Sequence, residues 1–240
     1  MSTRLSGISK AHTLASLHQF AGLNQPATEQ LTQAAYIGHV KRHEYLVQRD
    51  GTADSFFVVV QGRVEVSLSA DSGFHKAIEI AGPGDQIGEA MMFCGGNHLI
   101  DAKAITAVTY VQLKKADCLR AMTLDEQFAR RLIEAMSARF VTLLADIKAT
   151  NCLTARERIY QFLLGEPRED NVVRLSITKG TIASLLGIAK ETLSRELQRL
   201  SADGLIRVSG AYIELIDPPA ADQPCPNLAA RRAAAVSSLD

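Results

Sequence analysis

Glu191, Ser194 and Arg195 follow one another at helical spacing, so a carboxylate, a hydroxyl and a guanidinium share one face. Each can read a nucleotide edge. Arginine forks onto guanine O6 and N7, a carboxylate accepts from cytosine N4, and a serine hydroxyl approaches a thymine or a phosphate. Lys179, Lys190, Thr192 and Arg199 surround them and are candidates for sugar-phosphate contacts, which position a protein without reading sequence.

The stretch that must hold these side chains, Ile177 to Leu200, reads as a helix-turn-helix. Ile182 and Leu186 pack the first helix, and Ala183 is small where two helices cross. Gly187 permits the positive φ of a tight turn. Ile188 plugs the core, and Leu193, Leu197 and Leu200 anchor the second helix. The readers then lie near the N-terminus of a recognition helix, where such helices meet base edges in the major groove. The competing reading is an ordinary helical hairpin with a solvated charged face. Glu196 is a misfit, an acid close to where the helix turns inward.

The rest of the chain changes character three times. From about Leu14 to Ala35 the apolar residues Leu17, Phe20, Leu23 and Leu31 have helical spacing. From Gly38 to Leu113 short β-branched and aromatic runs alternate with glycine turns, as in Phe56–Val60, Arg63–Leu68, Ala77–Ile80 and Val108–Leu113. That texture predicts a small antiparallel barrel or roll. A long helix is expected from Leu124 to Ala149. Its Ile133, Met136, Phe140, Leu143 and Ile147 form a heptad seam suited to a second copy of the chain. Leu132, Val141 and Leu144 add a flank that can lie on the barrel. Helical patterns fill the block after Thr154, and a hairpin around Gly210, the tip of a wing, closes it at Ile216. The end of the chain, rich in Pro and Ala and carrying Arg231 and Arg232, reads as a mobile tail.

The expected architecture is α+β. A sensory β-roll occupies 1–122, a dimerisation helix 123–150, a winged helix-turn-helix 151–216 and a disordered tail 217–240.

Composition narrows the partners. With 47% hydrophobic and 22% charged residues, the chain of 240 residues has the balance of a globular protein. Lys plus Arg number 26 and Asp plus Glu 26, which excludes a generally basic binder while leaving room for a local basic face. No apolar run reaches the roughly 18 residues of a membrane span, and no secretory signal is expected at the start. Cys94, Cys118, Cys152 and Cys225 are scattered and read as reduced thiols, which gives a cytoplasmic expectation. Cys94 is expected on a loop, buried and inert.

In its motifs and their order the chain resembles the Crp/Fnr superfamily of bacterial transcription regulators. The β-roll signatures are Phe57–Val66 and Gly82-Pro83-Gly84-Asp85-Gln86-Ile87-Gly88-Glu89, and the likeness extends from about residue 14 to 216. Glu191-Thr192-Leu193-Ser194-Arg195 resembles the E-x-x-S-R of the Fnr branch rather than the R-E-x-x-G-R of the Crp branch. The resemblance implies a homodimer on double-stranded DNA, an Fnr-like palindrome with TTGAT-type half-sites, and contact with RNA polymerase. Activation and repression both stay open.

The resemblance also bears on the effector. Cyclic-nucleotide members follow a Gly-Glu pair, ten and eleven residues later, with an Arg and a Ser or Thr. Here Gly88-Glu89 is followed at those places by Leu99 and Ile100, so a cyclic phosphate would lie unpaired beside Asp101. Cyclic AMP is therefore not expected. Nor is an Fnr-type iron–sulfur cluster, since no cysteine precedes Cys94. Gly88-Glu89-Ala90-Met91-Met92-Phe93 resembles the E-A-M-M-F of Dnr-type regulators, which implies nitric oxide sensing through haem b with His18 as a candidate axial ligand. All six histidines, at 12, 18, 39, 43, 75 and 98, stand in surface-prone contexts. The candidate effector pocket is Glu89, Met91, Met92, Leu99 and Ile100, whose methionines also suit plain core packing.

Two alternatives stay beside this reading. One is the same DNA binder without haem, either effector-free or answering another small molecule or a redox signal. The other is a cupin-type metalloenzyme, against which stands the lack of a His-x-His pair, a nucleophile elbow or a phosphate-gripping loop.

Overall fold

The computed structural model describes residues 7–216 and Pro218. The expected tail, apart from Pro218, lies outside the described residues, as does Cys225. The chain divides into two units, Met1–Met136 and Ser137–Asp240.

The first unit is built on two four-stranded antiparallel sheets. One has the order β1 (Tyr36–Val40), β8 (Val108–Lys114), β3 (Ser55–Gln61), β6 (Gln86–Ile87). The other runs β2 (Tyr45–Val47), β7 (Asp101–Ala104), β4 (Val64–Ser69), β5 (His75–Ala81). Successive strand residues point to opposite faces, and β3 shows the consequence. Phe57 and Val59 enter the core between the sheets with Val64, Val66 and Ala102. Phe56 and Val58 face the helices, among Leu31, Phe128 and Leu132. At the β3–β4 turn Gly62 has φ +95°, and a Cβ there would meet the Ala107 carbonyl oxygen at 2.2 Å, so only glycine fits.

The helices of this unit are α1 (Gly7–Ala15), α2 (Gln25–Ala34), α3 (Glu89–Cys94), α4 (Lys115–Leu124) and the start of α5 (Glu126–Cys152). The continuous helical segment expected from Leu14 to Ala35 is interrupted. Asn24 caps α2, its Oδ1 accepting from the Ala27 amide at 2.9 Å, and Pro26 stands in the first turn. Leu17 and Phe20 still reach the core, from the turns between the helices, and Phe20 stacks on Phe128 at 5.8 Å. Arg131 of α5 donates to the carbonyls of His18 (3.2 Å) and Ala21.

The expected helix over Leu124–Ala149 is α5, offset by two residues at its start and extended at its end. Asp125 separates it from α4, its carboxylate accepting from the amides of Asn24 (2.7 Å) and Gln127 (2.9 Å). The expected barrel flank is only partly right. Leu132 is buried, whereas Val141 and Leu144 are exposed beside Ile133, Phe140 and Ile147. Met136 and Leu143 of the heptad seam are half-buried. The exposed apolar stripe is thus rotated from the expected seam toward Val141 and Leu144.

The second unit holds the rest of α5, then α6 (Ala155–Gly165), β9 (Arg168–Glu169), β10 (Val172–Arg174), α7 (Lys179–Leu186), α8 (Lys190–Ala202), β11 (Ile206–Ser209) and β12 (Tyr212–Leu215). A capping box starts α6. Thr154 Oγ1 accepts from the Glu157 amide at 3.3 Å and Glu157 accepts from the Thr154 amide at 2.7 Å. That backbone bond holds the Glu157 carboxyl below its usual range. Its four strands form one antiparallel sheet in the order β11-β12-β10-β9. The β9–β10 hairpin corrects the expectation of helix alone before the helix-turn-helix. Asp170 and Asn171 both take positive φ, 48° and 62°, and close a two-residue turn of the kind that suits tightly twisted strands. Ile159, Leu163, Ile182, Leu193, Leu197, Leu200 and Ile213 fill the core of this unit.

Candidate nucleic-acid interface

The local chemistry of the sequence sets the angle between α7 and α8. Thr178 caps α7, its Oγ1 accepting from the Thr181 amide at 3.1 Å. Gly187 ends the helix in the left-handed region at φ 63°, ψ 41°. The Ile188 amide then returns to the Ala183 carbonyl at 3.0 Å, closing the paired bonds of a glycine C-cap. Arg158 of α6 donates to the Leu186 carbonyl at 2.7 Å, so the turn is tied from a third helix.

Helix α8 is strongly two-sided. Leu193, Leu197 and Leu200 are buried at 1%, 5% and 1% exposure. On the opposite side Glu191 and Arg195 are exposed and Ser194 is half-buried. At about 100° per residue these three fall within an arc of about 100°. Glu191 also lies in the first turn, where a carboxylate is favoured by the helix dipole. Lys179 and Lys190 are exposed at the starts of the two helices, and Thr192 is half-buried on the flank. Arg199 is exposed and its Nη1 donates to Glu196 at 2.6 Å. The same pair accounts for Glu196, which is largely covered without being left uncompensated. Gly210 stands between β11 and β12, and Arg207 is bound across that hairpin to Glu214 at 2.5 Å.

The residues expected to hold an effector do not converge. Glu89 begins α3 and is buried, Met92 belongs to the core between helices and sheet, and Met91 is half-buried. Leu99 is 63% exposed, while Ile100 packs against the core between the two sheets. Asp101 accepts from the Arg49 amide at 2.9 Å and from Ser69 Oγ. His98 corrects the expectation of a surface histidine. It is 5% exposed rather than superficial, and its ring packs over Gly88. Its Nδ1 is buried without a hydrogen-bond partner. Burial lowers its pKa and the Asp54 carboxylate opposes that shift. The signal for this residue was non-local, the Gly88 surface that only the fold brings beneath it.

Cys94 corrects another expectation, since it is exposed and ends α3 rather than lying buried on a loop. Cys118 is the buried thiol, its pKa pushed up to about 12 by desolvation. His18 is exposed. The apolar cavity close to it in the chain, among Leu14, Ala15, Phe20, Leu23 and Leu31, has a volume of about 90 Å³ and His18 does not line it. Small-molecule sites commonly measure about 300 Å³ or more, so this cavity does not fit a haem. Among the described residues no group of three or more His, Cys, Asp or Glu is placed to hold a metal ion, and no helix is long and apolar enough to cross a membrane.

Residues 37–125 match the cyclic nucleotide-binding domain family, and residues 157–220 match the Crp-like helix-turn-helix domain family. The chain is 28% identical over 187 residues to the nitrogen fixation regulation protein FixK of Bradyrhizobium diazoefficiens, covering 75% of this chain and 78% of that one. It is 24% identical over 206 residues to a CRP-like cAMP-activated global transcriptional regulator of Mycobacterium tuberculosis, covering 82% and 92%. The structure of FixK2 from Bradyrhizobium japonicum superimposes with a TM-score of 0.68 at 25% identity, covering 76% of this chain and 93% of that one. With a β-roll, a long helix and a capped helix-turn-helix in this order, and both domain families matched, the chain belongs to the Crp/Fnr family of DNA-binding transcription regulators.

Proposed function

We propose that the protein acts as a homodimer that reads an Fnr-like palindrome with TTGAT-type half-sites. Glu191, Ser194 and Arg195 contact base edges, while Lys179, Lys190 and Thr192 contact the backbone. What carries this reading is the outward face of α8, where these three side chains stand opposite the buried Leu193, Leu197 and Leu200. The dimer forms along α5 through Ile133, Phe140 and Ile147, with Met136 and Leu143 at its edge. Two recognition helices about 34 Å apart then meet successive major-groove faces, and polymerase contacts follow from the bound dimer. Residues 1–122 serve as the sensory part, 123–150 as the dimerisation helix and 151–216 as the reader.

The test is a gel-shift comparison of a TTGAT palindrome with one whose half-sites are scrambled, at fixed salt. Preference for the TTGAT duplex is expected. Equal binding to both would overturn the assignment of the readers.

A signal other than haem or a cyclic nucleotide, or none at all, is the second part of the proposal. His18 is exposed, and the apolar cavity near it in the chain, which it does not line, is too small for a haem. At the places where a cyclic phosphate would need a cation and a hydroxyl stand an exposed Leu99 and a half-buried Ile100. Any effector acts only by its differential affinity for two arrangements of the dimer. Isothermal titration with cyclic AMP, and optical titration with haem, are expected to give no saturable binding; a saturable curve with either would reject this part.

A further inference from the structure

We propose that Gln198 is a fourth base-reading residue whose partner is an adenine; the inference rests on the reading that α8 enters the major groove. Gln198 is exposed. At about 100° per residue its direction from the helix axis falls between those of Ser194 and Arg195, close to that of Glu191. The buried Leu197 and Leu200 on either side in sequence fix the rotation of α8 about its axis. The side chain at 198 is therefore presented to whatever Glu191 and Arg195 face.

Its neighbour does not compete for that place. Arg199 leans to the flank, bound to Glu196 at 2.6 Å, and so leaves the ridge to an uncharged side chain. A cation gains more from a phosphate than a neutral amide does, whereas a primary amide offers a donor and an acceptor side by side. That pattern matches adenine, which presents its N6 amino group and N7 acceptor together in the major groove. Glu191 and Gln198 are seven residues apart, about 10 Å along the helix axis. That is well beyond the roughly 3.4 Å spacing of base pairs, so Gln198 faces a different base pair from Glu191. The partner of Gln198 is thus a separate position of the half-site.

The experiment is selection of bound duplexes from a randomised DNA library by the full chain, by Gln198→Ala and by Arg195→Ala. Gln198→Ala is expected to lose an adenine preference at one position in each half-site, by about tenfold, with the other positions unchanged. If Arg195→Ala alters the selected sequence and Gln198→Ala does not, the inference is overturned and the reading of Glu191, Ser194 and Arg195 stands. If neither substitution alters it, both fall. A uniform loss of binding by Gln198→Ala, without change in the selected sequence, also overturns the inference.

Discussion

Glu196 and Arg199 are paired at 2.6 Å one turn apart on α8, the carboxylate largely covered and the guanidinium mostly exposed. The arrangement sets a carboxylate of its own helix against the charge of Arg199. Replacing Glu196 by Gln releases that charge for a phosphate. Glu196→Gln is expected to tighten binding to DNA of any sequence at low salt and to steepen the salt dependence by about one unit of log–log slope. Stability should change by less than about 1 kcal/mol, because pairs this exposed contribute little. Fluorescence anisotropy across a salt series reads the first effect and thermal melts the second; an unchanged slope would mean that Arg199 stays off the phosphates.

Base readers and backbone anchors differ in kind as well as in size. Arg195→Ala is expected to cost about 1–3 kcal/mol per half-site and to relax discrimination at one base pair. Lys179→Ala should weaken binding evenly on all sequences and flatten the salt slope by about one unit. Gel shifts on a set of single-base variants separate the two. Equal loss on every variant with Arg195→Ala would move that residue to the backbone class.

His98 gives the sensory unit a pH dependence of predictable sign. Its pKa in the folded chain lies below its ordinary value because burial disfavours the imidazolium, with Asp54 acting the other way. As pH falls through about 6.5, the unfolded chain takes up the proton first. Stability from this group is therefore complete above that pH. It declines as pH falls toward the folded-state pKa, then levels off. Thermal melts of the full chain between pH 7.5 and pH 5 should show a decline that His98→Gln reduces, and identical profiles for the two proteins would exclude His98 as a source.

The exposed stripe on α5 makes the dimer testable without DNA. Phe140 is 61% exposed and central to Ile133, Val141, Leu144 and Ile147. Phe140→Lys sets two like charges near the two-fold axis of a paired helix, and sedimentation should then show monomers where the parent chain is dimeric. Far-ultraviolet circular dichroism should be unchanged, since the side chain is mostly exposed in its own protomer. A variant that sediments like the parent would place the interface elsewhere.

The reader was legible because its determinants are local. The Gly187 turn, the Leu193, Leu197 and Leu200 periodicity and the charged ridge all lie within one short stretch. Strands β3, β4 and β8 were equally plain, from their β-branched and aromatic runs, from the alternation of β4 and from Gly62 between the first two. What escaped depends on residues distant in sequence. The break between Ala15 and Gln25 had local marks in Asn24 and Pro26, but the hold of Asp125 on the Asn24 amide comes from a hundred residues on. His98 is buried by Gly88 and the loop at Asp50–Gly51, which bonds its backbone at both ends. The Asp170–Asn171 turn did carry a local signal, a polar pair directly before Val172-Val173, but the strands on either side are too brief for periodicity to show. Likewise the five expected effector residues are near in sequence, yet the strand and helix geometry sends Met92 and Ile100 to separate cores.

The strand β3 is a party wall between two rooms, with Phe56 and Val58 furnishing one side and Phe57 and Val59 the other. Inserting a single residue ahead of it would turn both sets around at once. Neither interior can therefore loosen while the other stays intact, and damage to this one strand should collapse the sheet-bearing half of the chain as a whole.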